Sequence, residues 1–235
     1  MALPKLTTPE YTLTVPSTQE EIKFRAFLVK EQKVLMIAQE SNDENMVANA
    51  LSTLVSACTY GKVDADKNPM FDIEYIFLQI RAKSVGAEVS LNVYCPDDNE
   101  TVTEIKVDLE SIQVQTNVEH SDTIKLTDDI KLVLNPPRLS DVAGLDLENS
   151  EFEKMTQLVK RCISSVETKD ETINRIDMTS EEIDEFINSF SGKQLENVVN
   201  FFETMPKVRH IVEVTNPVTK VKGEILLEGI ESFLE

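Results

Sequence analysis

Two stretches of this 235-residue chain place reactive side chains at spacings that chemistry could use. Cys95-Pro96-Asp97-Asp98 has the outline of half a zinc knuckle. Thr215-Asn216-Pro217-Val218 occupies the place of a second half. A structural zinc needs four ligands, usually two Cys-x-x-Cys pairs, to close a tetrahedron. The first stretch holds one cysteine and the second none, so no metal is expected. His120 stands among Glu119, Ser121 and Asp122, an inventory like that of a hydrolytic triad, but neighbours in sequence do not face one another productively. His210 lies in Lys207-Val208-Arg209-His210 at the start of a strand. Cys162 has Lys160 and Arg161 beside it, which would favour a thiolate, yet it falls on an apolar helical stripe and reads as a buried thiol. Cys58 precedes Thr59-Tyr60-Gly61-Lys62.

Carboxylates are plentiful. Asp64 and Asp66, Asp97 and Asp98, and Asp128 and Asp129 are close pairs, read as turns and solvated faces. Glycosidase chemistry would need two acids at a set separation in a cleft, usually with aromatic walls. The chain has no tryptophan and 6% aromatic residues. Asp64-Ala65-Asp66-Lys67-Asn68 opens like a calcium loop but has Pro69 where glycine is needed and Tyr75 where a bidentate glutamate is needed. No phosphate-binding glycine loop is present. The sequence therefore nominates no catalytic residue and no cofactor, and the chain is read as a non-enzyme. The enzymatic alternative is a hydrolase using scattered acids, which would require a cleft holding carboxylates of raised pKa.

The elements that would position these residues alternate between hairpins and helices. Tyr11, Leu13 and Val15 alternate with threonines, Pro16-Ser17-Thr18 turns, and Ile22, Phe24 and Ala26 return the strand. Residues 28–40 take a helical period with Leu28, Val34, Leu35, Ile37 and Ala38 on the inner face. A second helix spans about 44–58. Residues 71–86 are the densest apolar segment, with Asp72 as the expected N-cap and Gly86 as terminator. The wide stripe of Ile73, Ile76, Phe77 and Ile80 marks a central helix. Residues 89–109 form a second hairpin around Pro96-Asp97-Asp98-Asn99. Strands follow near 123–126 and 130–134. Residues 138–166 read as helical, with Val159, Cys162, Ile163 and Val166 on one face, and 167–178 as a polar connector. Thr179-Ser180-Glu181-Glu182 signals a capped helix. Gly192 is expected to break it, and a further helix carries Leu195, Val198, Val199 and Phe202 up to Pro206. Residues 208–227 form a third hairpin. The fold class expected is α+β, with helices packed on antiparallel hairpins and a helix–hairpin unit occurring twice. The two occurrences share no evident sequence identity. The division expected is 1–137 and 138–235, or one continuous domain.

Composition narrows the function. At 41% apolar and 28% charged, the chain can bury a core. Its net charge of −19 argues against a general nucleic-acid binder, since phosphate neutralisation needs clustered Lys and Arg. The excess is uneven: residues 1–85 hold 9 basic and 11 acidic side chains, residues 86–235 hold 14 and 31. That favours solubility or a basic partner. Three widely spaced cysteines make no disulfide framework and fit a reducing cytoplasm. No apolar run is long enough to span a bilayer. The opening MALPKLTTPEYTLTV lacks the pattern of a signal peptide.

Three blocks together resemble one family: LPKLTTPEYTLTVPSTQEEIKFRAFLVKEQKVLMIA at the start, CTYGKVDADKNPMFDIEYIFLQIRAKSVG in the core, and FFETMPKVRHIVEVTNPVTKVKGEILLEGIESFL at the end. They are similar to the baseplate hub and hub-assembly proteins of T-even-like myoviruses, with residues 110–190 least diagnostic. The resemblance implies a role in building the hub of a contractile tail, as a hub subunit or as a transient assembly chaperone absent from the finished virion. It implies contacts with other baseplate hub and wedge proteins, placement in a symmetric ring as a homo-oligomer, and a location in the virion tail baseplate after assembly in the host cytoplasm. It implies no catalytic residue. Hairpins of such proteins can bear zinc-ribbon-like cysteine pairs, a pattern this chain keeps only at Cys95. Candidate contact residues are Tyr11, Leu13, Phe24 and Phe27 of the first hairpin and Ile230, Phe233 and Leu234 of the tail; the alternative is that they pack within the chain.

Overall fold

A computed structural model describes residues 7–41, 43–143, 145 and 150–233. In chain order the elements are β1 (Glu10–Thr14), β2 (Glu21–Arg25), α1 (Val29–Ser41), α2 (Glu44–Cys58), α3 (Met70–Val85), β3 (Glu88–Tyr94), β4 (Val102–Asp108), β5 (Gln113–Gln115), β6 (Thr123–Lys125), β7 (Lys131–Leu134), α4 (Leu139–Ala143), α5 (Glu151–Cys162), β8 (Ile163–Glu167), β9 (Thr172–Asn174), α6 (Ser180–Asn188), α7 (Gly192–Thr204), β10 (Lys207–Thr215) and β11 (Lys222–Glu228). The fold is α+β, and the sheets are small and antiparallel. Two compact units are present: Met1–Gln115 with Lys207–Glu235, and Thr116–Pro206. The division differs from a cut at residue 137. The last hairpin returns to the first unit because β10 pairs with β5, Lys207 opposite Gln115 and Val208 opposite Val114.

The first unit is built on α3. Ile76, Phe77, Leu78 and Ile80 are fully buried, so the helix is enclosed on most of its circumference. Each such side chain stabilises the fold by roughly 1.5–3 kcal/mol relative to exposure. A helix this enclosed must also satisfy its polar residues internally, and they do so by binding the backbone of other segments. Asp72 accepts from the Ser17 N–H at 3.0 Å and, more closely, from the Ser17 hydroxyl, both in the β1–β2 turn. Glu74 accepts from the Ile230 N–H at 3.2 Å, just beyond β11. The Ser84 hydroxyl accepts from the Phe27 N–H at 2.9 Å. Gln79 donates to the Leu109 carbonyl at 3.3 Å and Arg81 to the Phe233 carbonyl at 2.6 Å. Asp72 is therefore not the N-cap. That position belongs to Pro69, whose side chain makes no capping bond. Asp72 lies in the first turn, completely buried, where burial raises its pKa against the opposing bonds from Ser17 and Asn68.

α1 departs from its expected orientation. Leu35 and Ala38 are buried beside Glu31, but Val34, Met36 and Ile37 point to solvent. The inner face is set by a charge. Glu31 accepts from Arg25 at 3.0 Å and from the Leu28 N–H at 2.8 Å, so the carboxylate also closes the start of the helix. Both ion-pair side chains are largely shielded, at 11% and 7% exposure. Arg25 reaches the Cys58 sulfur as well, at 3.7 Å. Burial pushes that thiol up to about 11, against the pull of Arg25.

The second unit packs α5, α6 and α7 on the antiparallel sheet β6-β7-β8-β9. Leu132, Leu134, Ile163 and Val166 from the sheet meet Val159, Ile183, Ile187, Val198, Phe201 and Phe202 from the helices. Helices α5, α6 and α7 each start with a reciprocal capping box, from Ser150 and Glu153, Thr179 and Glu182, and Ser191 and Gln194. The helix expected over 138–166 is instead α4 and α5 followed by strand β8. Ile163 and Val166 are β-branched residues that pair with β7, Ile163 opposite Leu134 and Val166 opposite Leu132. Gly192 does not break a helix; it is the first residue of α7, behind its cap Ser191.

Replacing Glu31 by glutamine leaves the Arg25 guanidinium shielded and without a counter-charge. The expected loss is about 3 kcal/mol of unfolding free energy, read by urea titration. Burial opposes ionisation of Glu31, but the bonds from Arg25, Leu28 and Lys30 prevail and lower its pKa. The ion pair therefore contributes fully above the ordinary glutamate pKa and is lost as pH falls through the depressed one, so the E31Q deficit should shrink in acid.

Candidate functional site

The two knuckle-like stretches do come together. Three hairpin turns in the first unit share one construction: a buried residue, a proline, two further residues, and a residue with positive φ that donates back to the buried residue's carbonyl. The sequences are Val15-Pro16-Ser17-Thr18-Gln19, Cys95-Pro96-Asp97-Asp98-Asn99 and Asn216-Pro217-Val218-Thr219-Lys220. The closing bonds are Gln19 N–H to Val15 at 2.8 Å, Asn99 N–H to Cys95 at 2.9 Å and Lys220 N–H to Asn216 at 3.0 Å. Gln19, Asn99 and Lys220 all have φ near +60°. The recurrence is visible in the sequence as X-Pro-x-x followed by a polar residue, but only the second and third copies stand out when cysteine is the guide.

The second and third tips face each other. The Asn216 amide, almost completely buried, donates to Asp97 Oδ1 at 2.9 Å and to Asp98 Oδ2 at 2.9 Å. Its own oxygen accepts from the Val218 and Thr219 N–H groups at 2.8 and 3.1 Å. The Thr219 hydroxyl donates to Asp97 Oδ2 at 2.6 Å. Asp98 also accepts from the Glu100 and Thr101 N–H groups and from the Thr101 hydroxyl. The bonds from Thr219 and Asn216 hold Asp97 below the usual carboxylate range, and those from Thr101 and Glu100 hold Asp98 lower still. The backbones come close enough that a Cβ at Gly223 would lie 2.5 Å from Pro96 Cγ.

This arrangement suits structure better than reactivity. The carboxylate oxygens are engaged, those of Asp97 by donors of the opposite tip and those of Asp98 by Asn216 and by its own turn. Cys95 is buried, and burial together with the charges of Asp97 and Asp98 raises its pKa, so the thiol form is favoured. Among the described residues no group of three or more His, Cys, Asp or Glu side chains could hold a metal ion.

The other nominated residues are dispersed. His120 lies between Thr204 and Asp122, at 3.0 and 3.2 Å, with its ring 5.0 Å from that of Phe201. Cys162 is pushed up to about 12, chiefly by burial. Asp64 pairs with Lys67 at 2.9 Å, Asp128 with Lys125 at 2.7 Å, and Asp129 with Lys169, all near the surface. Of the contact candidates, Leu13, Phe24, Ile230 and Phe233 are buried in the first unit and present little to a partner. Tyr11 is half-buried, its ring 5.5 Å from Phe24 and under the Lys83 ammonium. Phe27 is also half-buried. Leu234 lies outside the described residues. The apolar side chains left to solvent include Val29, Val34, Met36 and Ile37 on α1, and Ile211 and Leu226, directly opposed across β10 and β11.

A family model described as T4 bacteriophage base plate protein matches residues 8–235. No curated protein and no solved structure matches the chain. The chain belongs to that family.

Replacing Asn216 by aspartate would set a third carboxylate against Asp97 and Asp98, whereas N216A only removes donors. The thermal midpoint should fall in both variants, and further in N216D at neutral pH. The two variants should converge as pH drops through the depressed carboxylate values and the repulsion is neutralised. N216A removes the amide that joins the two tips and leaves the Val218 and Thr219 N–H groups without their acceptor, which is why its midpoint falls too.

Proposed function

We propose that this member of the T4 bacteriophage base plate protein family is a subunit of the baseplate hub that acts through protein contacts and catalyses no reaction of its own. The observation that carries the reading is the family match, which covers both units and the three hairpins. The fate of the reactive side chains supports it. Asp72, Asp97 and Asp98 are spent on fastening hairpin turns, and Cys58 and Cys162 are buried with raised pKa values. In contrast, apolar side chains stand exposed in groups on α1 and on the outer face of β10 and β11. Exposed apolar groups with polar rims are what docking surfaces look like.

The partners proposed are the other hub and wedge proteins of the baseplate, with nucleic acid disfavoured by the charge of −19. The site of action proposed is the virion tail, reached after assembly in the host cytoplasm.

Quantitative mass spectrometry of purified virions tests the assignment. A hub subunit should appear in a fixed ratio to the other baseplate proteins and co-purify with them from infected cells. Its absence from virions, with retention on assembly intermediates, would instead identify a transient assembly chaperone.

A further inference from the structure

The second hairpin of the first unit has an outer edge that nothing blunts. β3 pairs with β4 over seven residues in unbroken register, and among the described residues no strand pairs with its other side. Proteins ordinarily blunt such an edge with brevity, proline, a bulge or charge within the strand. β4 carries Glu104 and Lys106 in its middle. β3 reads Glu-Val-Ser-Leu-Asn-Val-Tyr, with no proline and no charge after Glu88. The bonds flanking the strand fix the direction of its main-chain groups. The Leu109 N–H donates to the Ala87 carbonyl at 2.9 Å, and the Cys95 N–H donates to the Thr101 carbonyl at 2.8 Å. Hydrogen-bonding direction alternates along an antiparallel strand. Val89, Leu91 and Val93 therefore bond towards β4, while Glu88, Ser90, Asn92 and Tyr94 turn their N–H and C=O groups outward. Side chains alternate as well. Leu91 is buried with Val89 and Val93 half-buried on the same face, and Glu88, Ser90, Asn92 and Tyr94 are exposed on the other.

We propose that β3 pairs antiparallel with β3 of a second copy of this chain, Leu91 opposite Leu91, about a two-fold axis. The strand fits itself in this register. Glu88 meets Tyr94 and Ser90 meets Asn92, so each outward main-chain group finds an outward group of the second copy; a slip by one residue would lose that match. On the core face Val89 meets Val93 and Leu91 meets Leu91, with Ile105 beyond it on β4, so an aliphatic row runs unbroken from one copy into the other. On the solvent face Ser90 meets Asn92, polar against polar, and Glu88 meets the uncharged Tyr94, so no like charges are opposed. Glu88 keeps its ion pair with Lys106 on that same face. The contact is self-complementary, as a two-fold interface must be. Strand addition draws its affinity from main-chain hydrogen bonds, and Val89, Val93 and the 63%-exposed Tyr94 gain cover from the added strand.

Sedimentation equilibrium of the full chain over about a hundred-fold concentration range tests this. The expected result is a reversible dimer. S90E/N92E sets like charges across the two-fold axis at both Ser90–Asn92 pairs and should weaken the dimer. S90E/N92K sets opposite charges there and should bind at least as tightly as the parent chain, the two doubles differing about tenfold or more in Kd. I37K, on the exposed face of α1, should leave the dimer unchanged. Ser90, Asn92 and Ile37 are all exposed, and thermal melts matching the parent protein would verify that the variants are folded. A monomer at every concentration, a dimer that does not distinguish the two doubles, or a dimer lost with I37K would each overturn the proposal.

Discussion

The first unit depends on one constraint: a helix enclosed by apolar packing must still satisfy every polar group it carries. α3 resolves this by turning its polar side chains into fastenings. Asp72 holds the turn of the first hairpin, Ser84 holds the segment leaving it, Gln79 holds the end of the second hairpin, and Glu74 and Arg81 hold the segment that follows the third. Apolar contact alone is non-directional and would leave the hairpins free to slide on the helix. Bonds from single side chains to single backbone groups fix where each one sits. The cost is a buried carboxylate at Asp72, visible in its raised pKa.

A second constraint acts at the far ends of the hairpins. Two tips of the same construction meet, and a metal or a polar network could each tie them. This chain uses Asn216 as the tie, with two carboxylates and a hydroxyl around it. An amide donates two protons, which matches two acidic acceptors, and its oxygen is left to close its own turn. Burial, with the same charges that receive the amide, raises the pKa of Cys95. The chemistry suggested by the residue types is thus absorbed into architecture.

Much of this was legible in the sequence, and the pattern of what was not is instructive. The three hairpins, the central helix and the α+β class follow from local signals: period-two alternation, turn residues, and an apolar segment between Pro69 and Gly86. The capping pattern at Thr179 and Glu182 also read correctly, because a cap is a local event. Two departures are local, Asp72 lying in the first turn of α3 rather than at its cap and Gly192 opening α7 rather than ending a helix, and the larger ones are non-local. Val34 and Ile37 look like an inner face until Arg25, twelve residues from Ile37, claims Glu31 and turns the helix. Ile163 and Val166 fit a helical stripe until β7 is present to pair with them. The return of residues 207–235 to the first unit rests on β5, a three-residue strand with no periodicity to read. At the candidate site, the facing of the two tips was hinted at by their shared outline, whereas the Asn216 bridge was hidden because asparagine after a strand reads simply as a turn.

The functional reading follows from where stability and exposure are placed. Reactive groups sit in fastenings, apolar surface sits on an outer helix and an outer strand, and the family match places the chain among baseplate proteins. A protein working by contact needs its contact elements held rigidly relative to one another. Native-state hydrogen exchange tests that rigidity most directly. The Ser17, Phe27 and Ile230 amides lie outside regular strands and α-helices, yet each donates to a side chain of α3. The account predicts that they exchange as slowly as the α3 backbone itself, at the rate set by global unfolding. Exchange of those three amides at the rate of solvated loops would show that α3 does not fasten the hairpins, and would contradict it.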